Sequence, residues 1–539
     1  MSEVTSNDPR VEPVQERAEL MTSRGRFLVY GGLSIALIVR LLVVLTADFP
    51  LNDGGMFMVM IRNLQASHYA LPHFTDYNGL HIPFAYPPLG FYAAAFLSDL
   101  THTDPITILR VLPLLLAIAA VGAFALLARS ILGSGDAAVI ATVAFGLLPH
   151  SVLWQVMGGG LTRGFGLFFA LLTLHQGYEL FAHRVLWRAA PTAIFASLTV
   201  LSHPQRTWLL AFSLALFFFW YGRNQNGLLG ASLVVAATFV LTSPWWVTVI
   251  VYHGIGPFLA SVHTGSASAG SFVGYLLPLD MTGEVFLPVF ALLGLLGIAW
   301  SIQTRQWMLP AWFAITLPLD PRGYLTDVLL PVALLAGLGT VEILLPWVAR
   351  IERTRSQRWH GRLIPIVATC VLIYVGISMI AASASLDVPL SREDRVAMAW
   401  VAQNTPKGSR FLVISGSNEW TTDRQSEWFP ALSGRMSIAT VQGTEWLPNK
   451  RFASQLTAYD DLQECADQRV TCVDKWSMRT DESFDYLYVS ETAPITSGHG
   501  AGDVVDSPHH DAIEFALKSD SQFTLVFENS GAAIFRRDK

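Results

Sequence analysis

Charge is the property this sequence has least of. Asp, Glu, Lys and Arg make up 14% of its 539 residues, against about 25% in a soluble globular chain. That shortfall excludes an ordinary water-soluble fold. With 52% hydrophobic residues and a mean hydropathy of +0.42, most of the chain belongs in a lipid bilayer. A basic excess is missing too. The net charge is -6 and the pI about 6.2, so there is no electrostatic case for nucleic acid as a partner. Cysteine is nearly absent. Of the three present, Cys370 lies in an apolar run and reads as an inert core thiol. Cys465 and Cys472 lie in the polar C-terminal part and can pair if that part is outside the cytoplasm. A metal pair is disfavoured, because no matching Cys/His pair sits nearby. The polar N-terminal stretch 1–23 has no cleavable signal pattern. Residues 1–26 therefore read as a cytoplasmic tail, with the first apolar run retained as an anchor.

Apolar runs are what the sequence has in abundance. A spanning helix needs about 20 mostly apolar residues. Candidate runs are 27–47, 108–129, 136–149, 164–182, 189–202, 206–221, 228–251, 284–302, 307–319, 325–347 and 363–385. The expected fold is mostly α: a polytopic membrane protein of about eleven transmembrane helices over 27–386, then an extracytoplasmic α/β domain over 387–539. Basic residues set the orientation. Arg129, Arg184, Arg188, Arg223, Arg305 and the cluster Arg350, Arg353, Arg355, Arg358, Arg362 fall on one side with Arg24 and Arg26. The N-terminus is then cytoplasmic. The opposite face gathers the loops 48–107, 150–163, 203–206, 252–283 and 320–324.

The first of these loops is patterned. Met56, Phe57, Met60, Ile61 and Leu64 recur at helical spacing. They predict an interfacial helix with Asn52 or Asp53 at its N-terminus. The apolar segment 86–97 predicts a juxtamembrane helix, too short to span. The small-residue loop 252–283 has the length of a lid or a disordered segment. Past 387, helices are expected at 392–403, 451–466 and 511–519, and strands at 411–414, 486–489 and 523–527.

Four features then line up in order. They are Asn52-Asp53-Gly54-Gly55 with Arg62-Asn63-Leu64 one helix-length on, and Tyr86-Pro87-Pro88-Leu89 ahead of the second span. Next come Asp320-Pro321-Arg322-Gly323-Tyr324 ahead of the run from Leu329, and a small polar domain after the last span. Together they resemble the C-type membrane glycosyltransferases of the GT-C superfamily, especially protein O-mannosyltransferases and bacterial lipid A aminoarabinose transferases. The resemblance covers about 27–345. It implies a hexosyl- or pentosyltransferase of the cell envelope. Such an enzyme takes a sugar from a polyprenyl-phosphate donor in the lipid bilayer and gives it to a glycan, lipid or protein acceptor. The resemblance makes Asp53 the base and Arg322 a holder of the donor phosphate. Members often carry a second acid in the next outer loop. Here that loop reads Gly158-Gly159-Gly160-Leu161-Thr162-Arg163-Gly164, without one. A divalent cation is compatible with the resemblance but has no support in the residues, and no metal ligands are assigned.

The chemistry explains the residue types. Transfer to a hydroxyl needs a proton acceptor, stabilisation of a cationic anomeric carbon and stabilisation of the leaving phosphate. A carboxylate serves the first two. Arginine, always charged and bidentate, serves the third. Arg163, behind its glycines, and Arg206 join Arg322 as candidate phosphate ligands. His203, His81, Tyr86 and Tyr324 are candidate substrate contacts. The alternative for Asp53 is a helix cap. For Glu427-Trp428 and Glu445-Trp446 the choice is between glycan contact and plain packing, with packing favoured. Trp245-Trp246 reads as an interfacial belt. Two other functions compete. A transporter of lipid-linked sugar would show internal repeats and mid-membrane charges, and neither is seen. A non-catalytic relative is left open by the missing acid.

Overall fold

Helix formation follows the apolar runs. The structure, a computed structural model, describes residues 31–32, 34, 37–38, 40–42, 44–133, 135–262, 264, 281–319, 324–354, 362–386, 388–448, 451–491 and 511–538. Described residues of 31–46 are helical. Then come α1 (Gly55–Ala66), a two-residue hairpin of β1 (Phe74–Thr75) and β2 (Ile82–Pro83), and α2 (Leu89–Thr101). The large helical part holds α3 (Pro105–Leu132), α4 (Asp136–Leu147), α5 (Gly160–Ala182), α6 (Ala189–Val200), α7 (Pro204–Tyr221) and α8 (Gln225–His253). It continues with α9 (Val289–Gln303), α10 (Met308–Leu319), α11 (Leu329–Gly339, running on through Thr354) and α12 (Leu363–Leu386).

Every apolar run from 108 to 385 thus carries a helix, although the run from 284 becomes helical only at Val289. The expected total of about eleven spans is not shown. Among the described residues, four helices are long and apolar enough to cross a membrane: Pro105–Leu132, Gln225–His253, Leu329–Glu352 and Leu363–Ala384. A fifth results if α4 and the Pro149–Val156 segment, bent by 81°, count as one. The others fall short for two reasons. Helices α4, α6, α9 and α10 have 12 to 15 residues. The longer α5 and α7 are diluted by polar residues such as Arg163, His175, Glu179 and Arg206. The bend after α4 has a buried partner. Arg40 donates to the carbonyls of Gly146 at 2.6 Å and Ala117 at 3.3 Å, and to Ser151 Oγ at 3.2 Å. A carbonyl freed by a broken helix needs such a donor away from water. Cys370, expected in a core, is exposed on α12. Its helix is the least enclosed after α8, so the thiol faces outward.

The C-terminal part opens with α13 (Arg392–Asn404) and β3 (Arg410–Ile414), then α14 (Arg424–Ser433) and β4 (Met436–Ser437). Helices α15 (Arg451–Gln463) and α16 (Thr471–Thr480) lead to β5 (Tyr486–Ser490). The chain ends with α17 (Asp511–Lys518), β6 (Phe523–Glu528) and β7 (Ala532–Arg537). The sheet order is β4-β3-β5-β7-β6. Strand β3 runs parallel to β4 and β5, and β7 is antiparallel to β5 and β6. Cys465 and Cys472 form a disulfide there.

One core joins this sheet to the first loop. Phe49, Met56, Phe57, Ile61 and Phe91 pack with Phe411, Val413, Trp428, Phe429, Trp446 and Tyr488. Each such buried side chain contributes about 1.5–3 kcal/mol of hydrophobic free energy. The first loop is therefore packed from the C-terminal side as well as from the helices.

Candidate functional site

The turn holding Asp53 is built from left-handed backbone. Asn52 has φ 50° and Gly54 φ 124°. Asn52 donates its N–H to the Val388 carbonyl at 3.1 Å. The N-cap of α1 is Gly54, and no side chain caps that helix from the cap position. The expected cap of Asn52 or Asp53 is therefore not formed. The Asp53 carboxylate reaches across to the start of α5 instead.

There it meets the glycine run. Gly159 donates its N–H to Asp53 Oδ1 at 2.6 Å, and Arg163 Nη2 donates to Oδ2 at 2.8 Å. The two side chains are 15% and 19% exposed, so the ion pair is mostly shielded from water but open at one edge. Arg163 is itself oriented. Its Nε donates to the Trp154 carbonyl at 2.8 Å, and its guanidinium lies 5.4 Å from the Trp154 ring centre. Its Nη1 makes no hydrogen bond among the described residues. The glycines are required by this approach. A Cβ on Gly158 would fall on the Asp53 carbonyl, and one on Gly159 on the Asp53 carboxylate.

The other side of Asp53 is held by α14. Trp428 Nε1 donates to the Asn52 carbonyl at 2.8 Å, and Glu427 Oε1 accepts the Gly54 N–H at 3.0 Å. Consecutive residues of one helix thus grip the peptide groups on both sides of Asp53. Tyr77 donates its phenol to the Glu427 carbonyl at 2.7 Å. A Cβ on Gly55 would lie 2.6 Å from that same carbonyl oxygen. The Gly54-Gly55 pair makes room for protein backbone. Trp428 is 0% exposed and Glu427 6%. Burial first, then the Asp53 charge, pushes the Glu427 carboxyl up to about 8.

Aromatic side chains wall the site. Tyr86 brings its hydroxyl within 3.3 Å of Thr162 Oγ1. Its ring centre lies 5.3 Å from Phe57, 5.4 Å from Trp446 and 6.3 Å from His203. Burial pushes its phenol up to about 12. Burial also pushes Glu445 up to about 7, and its Oε2 has no partner among the described residues. Behind Arg163, Gln155 links it to Arg206: the Gln155 amide donates to the Arg163 carbonyl and accepts from Arg206 Nη2, both at 3.2 Å. Arg206 forms a buried ion pair with Asp327.

The structure thus brings Asp53, Arg163, Tyr86 and His203 together, with Arg206 one layer behind. His81 is elsewhere, exposed on the β1–β2 hairpin against Phe74 at 5.9 Å. Arg322 and the Tyr324 side chain lie outside the described residues, as does most of the small-residue loop 252–283. Among the described residues, no group of three or more His, Cys, Asp or Glu is placed to hold a metal. Glu427 and Trp428 are the participants the sequence reading assigned to packing. Their signal was a pair of Glu-Trp dipeptides, and both dipeptides dock on the first loop.

The chain pairs a set of apolar helices with an α/β unit packed on the loop after the first apolar run. Solved structures match it in fold. ArnT from Cupriavidus metallidurans superposes with a TM-score of 0.57 at 14% identity, over 95% of this chain and 98% of that one. The oligosaccharyltransferase AglB from Archaeoglobus fulgidus, in complex with an inhibitory peptide and a dolichol-phosphate, gives 0.56 at 14% identity over 87% and 70%. The arabinofuranosyltransferase AftD from Mycobacteria gives 0.51 at 15% over 95% of this chain and 40% of its own. No protein-family model and no curated protein sequence matches the chain. The chain has the GT-C fold.

Proposed function

We propose that the protein is an integral membrane glycosyltransferase. It moves a pentose or hexose from a polyprenyl-phosphate donor to an acceptor hydroxyl at the outer face of the plasma membrane. Residues 27–386 form the embedded part and 387–539 the extracytoplasmic one, with 1–26 in the cytoplasm. The observation carrying this reading is the Asp53 carboxylate, held by Gly159 N–H and Arg163 at the junction of the first loop, α5 and α14. The fold supports it. So do two neighbours solved with lipid phosphates, AglB with dolichol-phosphate and ArnT with undecaprenyl phosphate.

The chemistry is a single displacement. Each carboxylate oxygen has two lone pairs, so Asp53 keeps an acceptor site beyond its two bonds. It takes the proton of the acceptor hydroxyl as that oxygen bonds to the anomeric carbon. The bond from that carbon to the phosphate oxygen breaks, and its electron pair leaves with the polyprenyl phosphate. Arg163 fixes the base, and its remaining Nη1 is available to the leaving phosphate, a charge-assisted contact worth about 1.5–3 kcal/mol. Tyr86, beside the Asp53–Arg163 pair, is a proposed substrate contact. Arg322 remains a proposed phosphate ligand from the loop before α11.

The test is transfer in lipid nanodiscs with a panel of polyprenyl-phosphate pentoses and hexoses. The expected result is polyprenyl phosphate release that an acceptor hydroxyl accelerates. Tight donor binding without release from any donor would overturn catalysis and leave a non-catalytic lipid-sugar binder.

A further inference from the structure

We propose that Glu427 is the second acid of this site, a positioning residue supplied by the C-terminal part that fixes the peptide carrying Asp53 and sets the charge beside its carboxylate. The inference rests on the reading of Asp53 as base.

The loop 158–164 has no acid, yet a carboxyl still reaches this neighbourhood, from a residue 373 positions away in the chain. Its placement is built. Glu427 and Trp428 bracket Asp53 by hydrogen bonds to residues 54 and 52, and Gly55 allows α14 to approach α1 at backbone distance. The Tyr77 phenol holds the Glu427 carbonyl. The carboxyl takes the Gly54 N–H and faces that of Met56 as well, at the start of α1; a glutamine oxygen would serve the first of these. Burying a carboxyl at 6% exposure is costly, and perturbed acids of this kind gather at functional sites.

Several charged groups surround Glu427, and the acids Glu445 and Asp423 act with it on Tyr77. Asp53 on the loop and Arg163 on α5 act on it directly. Tyr77 joins them through the backbone. From α13, Asp394 is turned away, accepting from Tyr488 at 2.7 Å and Ser391 at 2.7 Å. One arginine therefore balances one carboxylate. While Glu427 holds its proton, Asp53 carries the only negative charge of the pair. Once Glu427 ionises, a second negative charge stands beside the Asp53–Arg163 pair and stabilises the positive charge that develops on the anomeric carbon.

The experiment compares wild type, Glu427→Gln, Glu427→Asp and Asp53→Asn in nanodiscs. The wild-type kcat should rise with pH through about 8. Glu427→Gln keeps the Gly54 acceptor but should lose that rise, with kcat about tenfold lower above it and the donor KM unchanged. Glu427→Asp should restore the rise. A second readout needs no turnover. Infrared difference spectra between about pH 6 and about pH 9 should show one protonated carboxyl lost in wild type that Glu427→Gln lacks, while the loss from Glu445 remains in both. Superimposable pH profiles and spectra for wild type and Glu427→Gln, with Asp53→Asn inactive, overturn the role of Glu427 alone. Equal turnover of wild type and Asp53→Asn overturns the base, and the role of Glu427 with it.

Discussion

Trp428 gives the sharpest test of whether the C-terminal part builds the site or merely covers it. The indole is 0% exposed, donates to the Asn52 carbonyl at 2.8 Å, and meets Phe49 edge-on at 4.6 Å. Trp428→Phe keeps most of the apolar contact but removes the donor. The Asn52 residue is 1% exposed, so its carbonyl is left unpaired, at about 1–3 kcal/mol. Trp428→Ala adds a cavity, for about 3–5 kcal/mol in all. These losses fall on the peptide next to Asp53. A shift of about 1 Å there costs roughly 100-fold in rate. The proposed donor contacts, Arg163 and Arg322, should change far less. The assay is sugar transfer in nanodiscs beside thermal unfolding of the same preparations. Trp428→Phe should lower kcat about 10- to 100-fold with donor KM nearly constant. Trp428→Ala that folds with wild-type turnover would refute the clamp.

Other outcomes follow from the same contacts. Gly159→Ala places a methyl on the Asp53 carboxylate and beside Arg163, so transfer should fall at least 100-fold while the helical content by circular dichroism stays unchanged. Glu427 and Glu445 are raised from 4.5 to about 8 and about 7. Their folded-state values lie above the unfolded one, so the C-terminal part should lose stability as pH rises from 4.5 through 8. Denaturant titrations across that range check this, and Glu427→Gln should flatten the decline. Arg206 and Asp327 are buried at 3% and 0% side-chain exposure. Arg206→Leu should therefore cost about 3–5 kcal/mol by stranding Asp327, and Arg206→Leu with Asp327→Leu should regain most of it. Melting temperatures of the three proteins decide.

The helices were legible because lipid and core both demand apolar runs. The strands β3, β5 and β6 were legible from short β-branched and aromatic runs. Strand β7 was not, since Ala532 and Ala533 carry no strand signal and Arg536-Arg537 look solvated. Helix α14 was hidden as well: Arg424-Gln425-Ser426-Glu427 is polar and Pro430 interrupts the pattern. Its buried polar residues make sense only against α1 and the Asp53 turn, hundreds of positions away. Of the site, Asp53 stood out as a lone acid after an apolar run, and Arg163 as a cation behind three glycines. Their bond to each other could not be read, because it depends on α5 beginning where the first loop crosses it. Nor could the sequence say what the glycines make room for. At Gly55, Gly158 and Gly159 the space is filled by the protein itself.

Single-turnover transfer by Asp53→Asn tests the central claim most directly. The amide retains an oxygen for the Gly159 N–H but sets an NH2 donor against Arg163 Nη2, so donor binding is measured on the same protein. Without a base, transfer should drop about 10²- to 10⁴-fold. Transfer by Asp53→Asn at the wild-type rate, with donor bound equally well, would contradict the assignment of Asp53 as the reacting acid.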